Sequence, residues 1–211
     1  MIRRLAGALA ALALVACVPR LAPLTGAPVP ASALPHPGLP AGLHKIVFNW
    51  ELTDLQLTSR GEGVARIAFP DSARLDFFLG GSLSGAAVLI SDSLTAPGPD
   101  MVRRMVPPPT LLWAALGRAA VPALPDTVLA LDGSFLRADI GRPVAWRFTF
   151  HGDTLARAER IDGGKVREWV ERLDSAHVRY RNEGAHRSLL LSITRREEVS
   201  EFDASIWRLD R

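Results

Sequence analysis

Hydrophobic and polar residues alternate along much of this chain, most sharply between residues 61 and 94. Ile67 and Phe69 alternate with polar or small neighbours, as do Leu75 and Phe77, and a third apolar run covers 86–90. A Pro-Asp-Ser turn and a Gly-Gly-Ser turn separate the three runs. Alternation of period two, interrupted by such turns, predicts an antiparallel meander with one buried face.

Similar patterns precede this stretch and continue nearly to the end of the chain. Phe48 and Trp50 belong to an early alternating run, and Trp146 and Phe148 belong to a later one. Further strand patterns lie at 128–131, 135–140, 155–161, 166–170, 178–182 and 188–194. About ten or eleven strands are therefore expected, and a meander of that length must curl or close. The sequence predicts a mainly β fold, an antiparallel barrel too wide for its own side chains to fill easily.

The middle of the chain breaks the strand pattern. Seven prolines between residues 96 and 126 exclude a central strand there. Residues 110–120, TLLWAALGRAA, contain no proline and predict a short helix with Thr110 as its N-cap. Leu112, Trp113 and Leu116 would share one apolar face, which we expect to cover the open side of the sheet. A second short helix is expected near residues 101–106.

The first seventeen residues have the pattern of a secretion signal. A positive MIRR segment precedes an apolar run at 5–16, which is too short to span a bilayer of about 30 Å as a helix. The run ends in Leu-Val-Ala followed by Cys17, which resembles the bacterial lipobox, whose cysteine becomes acylated. An ordinary secretion signal with an incidental cysteine is the alternative. By analogy with Gram-negative sorting, Val18 favours the outer membrane.

Proline content sets the expected domain organisation. Residues 1–16 form the expected signal peptide, and 17–42 form an acylated cysteine with a Pro/Ala-rich tether. The folded domain is expected at 43–211. Acyl chains on Cys17 would hold the protein on a membrane without spanning it.

Composition and motifs point to binding and not to catalysis. The net charge of +3 fits a solvated surface, and attraction to anionic lipid head groups is the alternative. Nucleic-acid binding is not favoured, because the chain has no basic run interleaved with aromatic residues. No nucleophile elbow, phosphate-binding loop or HExxH metal motif occurs, so we expect no enzyme, cofactor or metal. The acid-rich segments 71–76 and 197–203 alternate with arginines, which favours solvated ion pairs.

The run GEGVARIAFPDSARLDFFLGG, the lipobox-like start and the mid-chain helix together resemble the LolA/LolB-like superfamily of bacterial periplasmic proteins, most closely the LolB-type outer-membrane lipoproteins. The resemblance covers residues 43–211 as a pattern and rests most on 61–90. It implies a half-open antiparallel β-barrel with a helical lid and an apolar cavity for acyl chains. It also implies a LolA-like periplasmic carrier as a partner, and an apolar side chain at a hairpin tip, here Leu83, that is important for delivery.

The expected ligand is therefore a lipid or the acyl chains of a lipoprotein, because apolar burial contributes about 0.8 kcal/mol per methylene. The candidate cavity residues are Phe48, Trp50, Ile67, Phe69, Leu75, Phe77, Leu112, Trp113, Leu116, Trp146 and Phe148. Each of them individually could be ordinary core. Two alternatives stay open: an envelope lipoprotein that docks other proteins with the same fold, and a periplasmic enzyme.

Overall fold

The computed structural model describes residues 18–209, which form a single curled antiparallel sheet with two short α-helices against its concave face. The thirteen strands are β1 (Ala27–Val29), β2 (Leu43–Asp54), β3 (Leu57–Ala68), β4 (Ser72–Leu79), β5 (Ser82–Ile90), β6 (Ser93–Thr95), β7 (Thr127–Asp132), β8 (Phe135–Ile140), β9 (Trp146–His151), β10 (Thr154–Asp162), β11 (Lys165–Arg172), β12 (His177–Asn182) and β13 (Arg187–Val199). The helices are α1 (Asp100–Met105) and α2 (Pro109–Leu116), and two 3-10 turns lie at Ala31–Ala33 and Ala204–Trp207.

The strand order is β1-β7-β8-β9-β10-β11-β12-β13-β2-β3-β4-β5-β6. Two meanders, β2 to β6 and β7 to β13, are joined side by side through the pairing of β13 with β2, which have 13 and 12 residues. The edge strands β1 and β6 do not pair with each other, so the sheet stays open. The expected class, a mainly β half-open antiparallel sheet with short helices, is confirmed. The two strands beyond the expected count, β1 and β6, have three residues each.

Antiparallel connectivity places the hairpin turns on two rims. The proximal rim carries the turns at 55–56, 80–81, 141–145, 163–164 and 183–186. The distal rim carries the turns at 69–71, 91–92, 133–134, 152–153 and 173–176. Every distal turn contains or directly follows an aspartate, and those residues are Asp71, Asp92, Asp132, Asp153 and Asp174. Three of the five proximal turns also contain or directly follow an acid, namely Asp54, Asp162 and Glu183, so acids occur on both rims and at every turn of the distal one.

Helix α2 differs at both ends from the helix expected at 110–120. It begins at Pro109, whose fixed φ suits the first helical position, so Thr110 lies inside the helix and is not its N-cap. It ends at Leu116 because Gly117 adopts a left-handed φ of 99°. The backbone N–H groups of Gly117 and Arg118 donate to the carbonyls of Ala114 and Trp113, respectively. This is a common C-terminal capping arrangement of helices.

The proline-rich segment at 18–42, which the sequence predicted to be part of a tether, lies on the sheet. Near the proximal rim, the Leu21 amide donates to the Gly164 carbonyl at 2.9 Å, and the Val166 amide donates to the Pro19 carbonyl at 2.8 Å. The segment then crosses the convex face and pairs as β1 with β7. Its later part crosses the open side of the sheet, where Leu39 is buried in the core. Backbone hydrogen bonds to a free sheet edge explain this attachment, and apolar periodicity does not signal it.

The expected signal peptide and Cys17 lie outside the described residues. Within residues 18–209, neither helix has the length and apolar character needed to cross a membrane.

Candidate functional site

The concave face of the sheet gathers most of the residues expected to line a cavity. Phe48, Trp50, Ile67, Leu75, Phe77 and Phe148 all lie there and are almost completely buried. Phe48 and Phe77 meet edge to face, with ring centroids 6.1 Å apart, and Trp146 stacks on Phe148 at 6.3 Å. Such pairs add stability beyond the apolar area that they bury. Trp146 itself is only half-buried, at the margin of the core.

Phe69 does not join this group, because its side chain is 55% exposed. Strand β3 ends at Ala68, and the Phe69 amide donates to the Gly42 carbonyl at 3.1 Å, so the chain has already turned away from the ladder. The alternation that buries Ile67 therefore does not reach Phe69.

Helix α2 fills the concave side that the sequence predicted to be hollow. All side chains from Leu111 to Ala115 are buried, and the helix is apolar around its whole circumference. The indole Nε1 of Trp113 donates to the Ser91 carbonyl at 2.6 Å, and the guanidinium of Arg172 donates to the Ala115 carbonyl at 3.3 Å. Leu112 and Trp113 thus occupy the centre of the interior, with Leu116 half-buried beside them.

Two narrow clefts remain along one side of α2. The distal cleft, of about 20 Å³, runs from Leu75 and Ala115 to Ile193 and Arg196. The proximal cleft, of about 10 Å³, is lined by apolar side chains from Met105 to Leu191, with Tyr180 at one end. Both share walls from Leu75, Ala115, Val178 and Leu191, so they are neighbours between α2 and the sheet, and together they are called the groove below. Each cleft has room for about one water molecule and for no acyl chain in this conformation.

The walls of this groove change from apolar to charged towards its ends. At the proximal end, burial and the charge of Glu168 raise the pKa of Tyr180 to about 12. Glu168 is itself buried and accepts hydrogen bonds from Asn182 at 2.7 Å and from Arg160 at 3.3 Å. At the distal end, burial together with the charge of Arg196 lowers the pKa of Arg172. Glu168 therefore lies near the proximal end of the groove, and the guanidinium groups of Arg172 and Arg196 lie near its distal end.

A larger pocket, of about 700 Å³, lies outside the sheet between β5 and the C-terminal segment. Arg74, Ser205 and Arg208 contribute to its walls, and it is open to solvent. Nearby, Asp76 bonds Arg66 and Arg74 and is only 4% exposed, so this ion pair is buried and not solvated as expected from sequence. The Arg74 guanidinium also donates to the Ile206 carbonyl at 2.7 Å, which attaches the C-terminal segment to the sheet.

Two hairpins carry exposed leucines on the proximal rim. Leu83 is 58% exposed but lies within β5, opposite Phe78, so the tip of its hairpin is Gly80-Gly81. The hairpin of β2 and β3 presents Leu55 and Leu57, which are 69% and 78% exposed. Sequence reasoning missed this pair. The signal was present, because Asp54-Leu55-Gln56-Leu57 places leucines in a polar turn between two long alternating runs.

Within residues 18–209, no three His, Cys, Asp or Glu side chains come together in a way that could hold a metal ion.

Comparison with known proteins gives matches in structure alone. No protein-family model matches the chain, and no curated protein matches its sequence. A LolA superfamily protein from Nitrosomonas europaea aligns with a TM-score of 0.51 at 8% identity, over 82% of this chain and 92% of that chain. A DUF1329 family protein from Desulfovibrio piger aligns with a TM-score of 0.51 at 9% identity, over 80% and 90% of the two chains.

A third match is a domain described as an outer membrane lipoprotein-sorting protein, from Vibrio parahaemolyticus. Its TM-score is 0.50 at 8% identity, over 79% of this chain and 89% of that chain. The chain therefore has the LolA/LolB-like fold, without a specific likeness to LolB. At these identities the similarity concerns the fold, and function has to be argued from the site.

Proposed function

We propose that this protein is a lipoprotein of the bacterial envelope that binds the acyl chain of a lipid or lipoprotein between α2 and the concave sheet, and that it acts by binding and not by catalysis. The proposal rests on the position of α2. Its apolar side chains Leu111–Ala115 are buried against the concave sheet, in the place where a bound acyl chain would lie. The groove beside it continues the same apolar surface.

Binding requires α2 to move, because the groove is too narrow for an acyl chain as it stands. The exchange is energetically balanced: apolar contacts of the helix with the sheet are replaced by apolar contacts of the ligand, at about 0.8 kcal/mol per buried methylene. Pro107 and Pro108 precede the helix, Pro109 is its first residue and Gly117 follows it, so residues that interrupt helical backbone bound α2 at both ends. We infer that α2 is a lid that also serves as an internal substitute for the ligand.

Attachment to the membrane through an acylated Cys17 is part of the proposal. Pro19 and Leu21 are bonded to the proximal rim, which brings the chain next to Cys17 to that rim. Leu55 and Leu57 lie on the same rim, four strand spacings or roughly 19 Å along the sheet from the 163–164 turn. The distal rim would then face away from the lipid. A location on the outer membrane, facing the periplasm, and exchange with a LolA-like carrier extend the same proposal.

The test is native mass spectrometry of the chain released from membranes, combined with titration of a Cys17→Ser variant with an apolar dye. Bound acyl species and stoichiometric dye uptake are expected. Loss of dye when a fatty acid is added would identify one shared site. An interior that takes up neither molecule would overturn the proposal.

A protein-docking role is the second candidate, and the small volume of the clefts favours it. In that case α2 is a permanent part of the core and the protein binds partners through its surface. The same mass spectrometry separates the two candidates, because a docking protein would retain protein partners and no lipid.

A further inference from the structure

Two arginines lie together at the distal end of the groove. Arg172 is the last residue of β11 and is half-buried, and Arg196 on β13 forms part of the wall of the distal cleft. Most arginines in residues 18–209 have a carboxylate within 4 Å, but within that part of the chain neither Arg172 nor Arg196 does. Two neighbouring positive charges without a counter-ion repel each other, and partial burial increases that cost.

Among the residues that the structure describes, both guanidinium groups bond only to backbone carbonyls. Arg172 donates to Ala115 at 3.3 Å, and Arg196 donates to Ser175 at 3.3 Å, which are long hydrogen bonds. A third arginine, Arg118, follows the C-cap of α2 and stacks on Trp113, with its guanidinium carbon 4.8 Å from the ring centroid. Its buried Nη1 has no hydrogen-bond partner among the described residues. Donors are therefore in excess around the C-terminal end of α2.

Nearby acids do not neutralise this cluster. Asp174, in the β11–β12 turn, accepts hydrogen bonds from His177 and from the Ala176 amide. Glu198 lies two residues beyond Arg196 on β13, opposite His44, and is not within 4 Å of Arg196. A guanidinium presents several N–H donors in a planar fork that matches a carboxylate or a phosphate. Among residues 18–209 no carboxylate fills this place, so a bound carboxylate or phosphate would satisfy the free donors.

We propose that the Arg172–Arg196 pair binds the anionic head group of a single-chain amphiphile, a carboxylate or a phosphate monoester, whose acyl chain lies in the groove between α2 and the sheet. This inference rests on the proposed function, since it names the ligand of the same groove. The apolar walls begin directly beside Arg196 and continue towards Tyr180, so one molecule with a charged end and a long apolar tail satisfies both.

Head-group binding also has a consequence for the lid. The donors of Arg172 that now bond the Ala115 carbonyl would turn to the anion, which removes one of the two polar contacts described above for α2. The ligand would therefore loosen the C-terminal end of the helix as it enters.

The experiment compares palmitate, hexadecyl phosphate and uncharged hexadecanol, titrated into the full chain carrying Cys17→Ser, with acetate and inorganic phosphate as anions that lack the chain. Binding is read from displacement of an apolar dye and from native mass spectrometry. Two variants, Arg196→Gln and Arg172→Gln, are compared with Arg179→Gln. Arg179 lies on β12 between Val178 and Tyr180, which face the concave side, so its own side chain is on the convex side. Arg179→Gln therefore removes the same charge from the face that does not contact the groove.

We expect palmitate and hexadecyl phosphate to bind at least tenfold more tightly than hexadecanol, and the short anions to displace no dye. Arg196→Gln should weaken both anionic amphiphiles about tenfold and leave hexadecanol and the thermal midpoint unchanged, while Arg179→Gln should change nothing. Equal affinities for all three long-chain probes would overturn the head-group inference and leave the proposed function standing. Failure of every long-chain probe would overturn both.

Discussion

Aromatic side chains on β2 lie over glycines on β3, and this is the most specific packing in the sheet at the scale of single residues. Trp50 is paired in register with Gly61, and Phe48 is paired with Gly63. A Cβ atom added at Gly63 would lie 2.3 Å from the Phe48 ring, and one at Gly61 would lie 2.4 Å from the Trp50 ring. The glycines therefore create the space in which the two rings lie flat against the sheet.

Gly63→Ala tests this packing. The added methyl group must displace the Phe48 ring, so we expect a loss of stability of about 1–3 kcal/mol from overpacking. The measurement is the urea midpoint of the Cys17→Ser chain. Gly184→Ala is the matched control, because its Cβ would lie 3.6 Å from the Asn182 side chain, which is an ordinary van der Waals distance. Equal midpoints for the two variants would contradict the interpretation.

Trp113 fills space on the concave side that an apolar ligand could otherwise occupy. It is 1% exposed, and its indole Nε1 donates to the Ser91 carbonyl in the distal turn at 91–92. Trp113→Ala should cost about 3–5 kcal/mol, because it removes apolar contacts and leaves a cavity. The same cavity should raise the uptake of an apolar dye, measured by fluorescence. Trp169→Ala, in a separate cluster with Ile161 and Val166, should destabilise the protein without any increase in dye uptake.

Alternation predicts buried residues well where a strand has one solvent face, and it fails where the strand ends. Phe48, Trp50 and Phe77 were predicted to face inwards, and they do. Phe69 follows the same pattern but comes after the last residue of β3. The pairing of Arg172 with Arg196 could not be predicted, because only the neighbouring positions of β11, β12 and β13 bring these distant residues together.

Helix α2 is the element on which both proposals depend. Its apolar character was evident from sequence, but the burial of Leu111–Ala115 follows from the curl of the sheet around the helix, which no local pattern encodes. Its ends are fixed by Pro109 and by Gly117. The C-terminal end is the one that the arginines contact. We therefore expect that end to open first.

Gly117→Ala tests the role of the helix end. A residue with a side chain is strained at a φ of 99°, so the variant should lose about 1 kcal/mol or more of stability. Hydrogen exchange should accelerate at the amides of Gly117 and Arg118 and stay unchanged in β13. Gly38→Ala serves as the control, because nothing lies within 4 Å of its Cβ and its φ is not in the positive range. Acceleration in β13 as well would show that α2 does not open independently of the sheet.

The attachment of β1 is a second element whose stability should depend on pH. Asp132 accepts hydrogen bonds from the Thr25 hydroxyl at 2.8 Å and from Arg137 at 2.7 Å, and these contacts lower the pKa of its carboxyl. A lowered folded-state pKa means that the contribution is present above the ordinary pKa of about 3.9 and is lost as the pH falls below it. Exchange of the β1 amides should therefore accelerate relative to their intrinsic rate, so that their protection falls, below about pH 4. In Asp132→Asn this acid-induced acceleration should be absent.

At the scale of the whole molecule, the N-terminal segment and the two rims define an orientation. The segment is bonded to the proximal rim, where Leu55 and Leu57 are exposed, and the distal rim has an aspartate at each turn. The chain should therefore rest on a bilayer with the proximal rim towards the lipid and the distal mouth of the groove, with its arginines, towards the aqueous phase.

A spin label at each rim tests this orientation. Leu57→Cys on the proximal rim and Leu173→Cys on the distal rim are labelled separately in the acylated chain, on vesicles that contain anionic lipid. The label at position 57 should collide with oxygen dissolved in the bilayer, and the label at 173 with a water-soluble paramagnetic reagent. Leu173 is 42% exposed and thus accessible to a label, as is Leu57. If both labels collide only with the aqueous reagent, the domain does not rest on the bilayer through either rim. Oxygen collisions at 173 alone would reverse the orientation and bring the arginine end of the groove to the membrane.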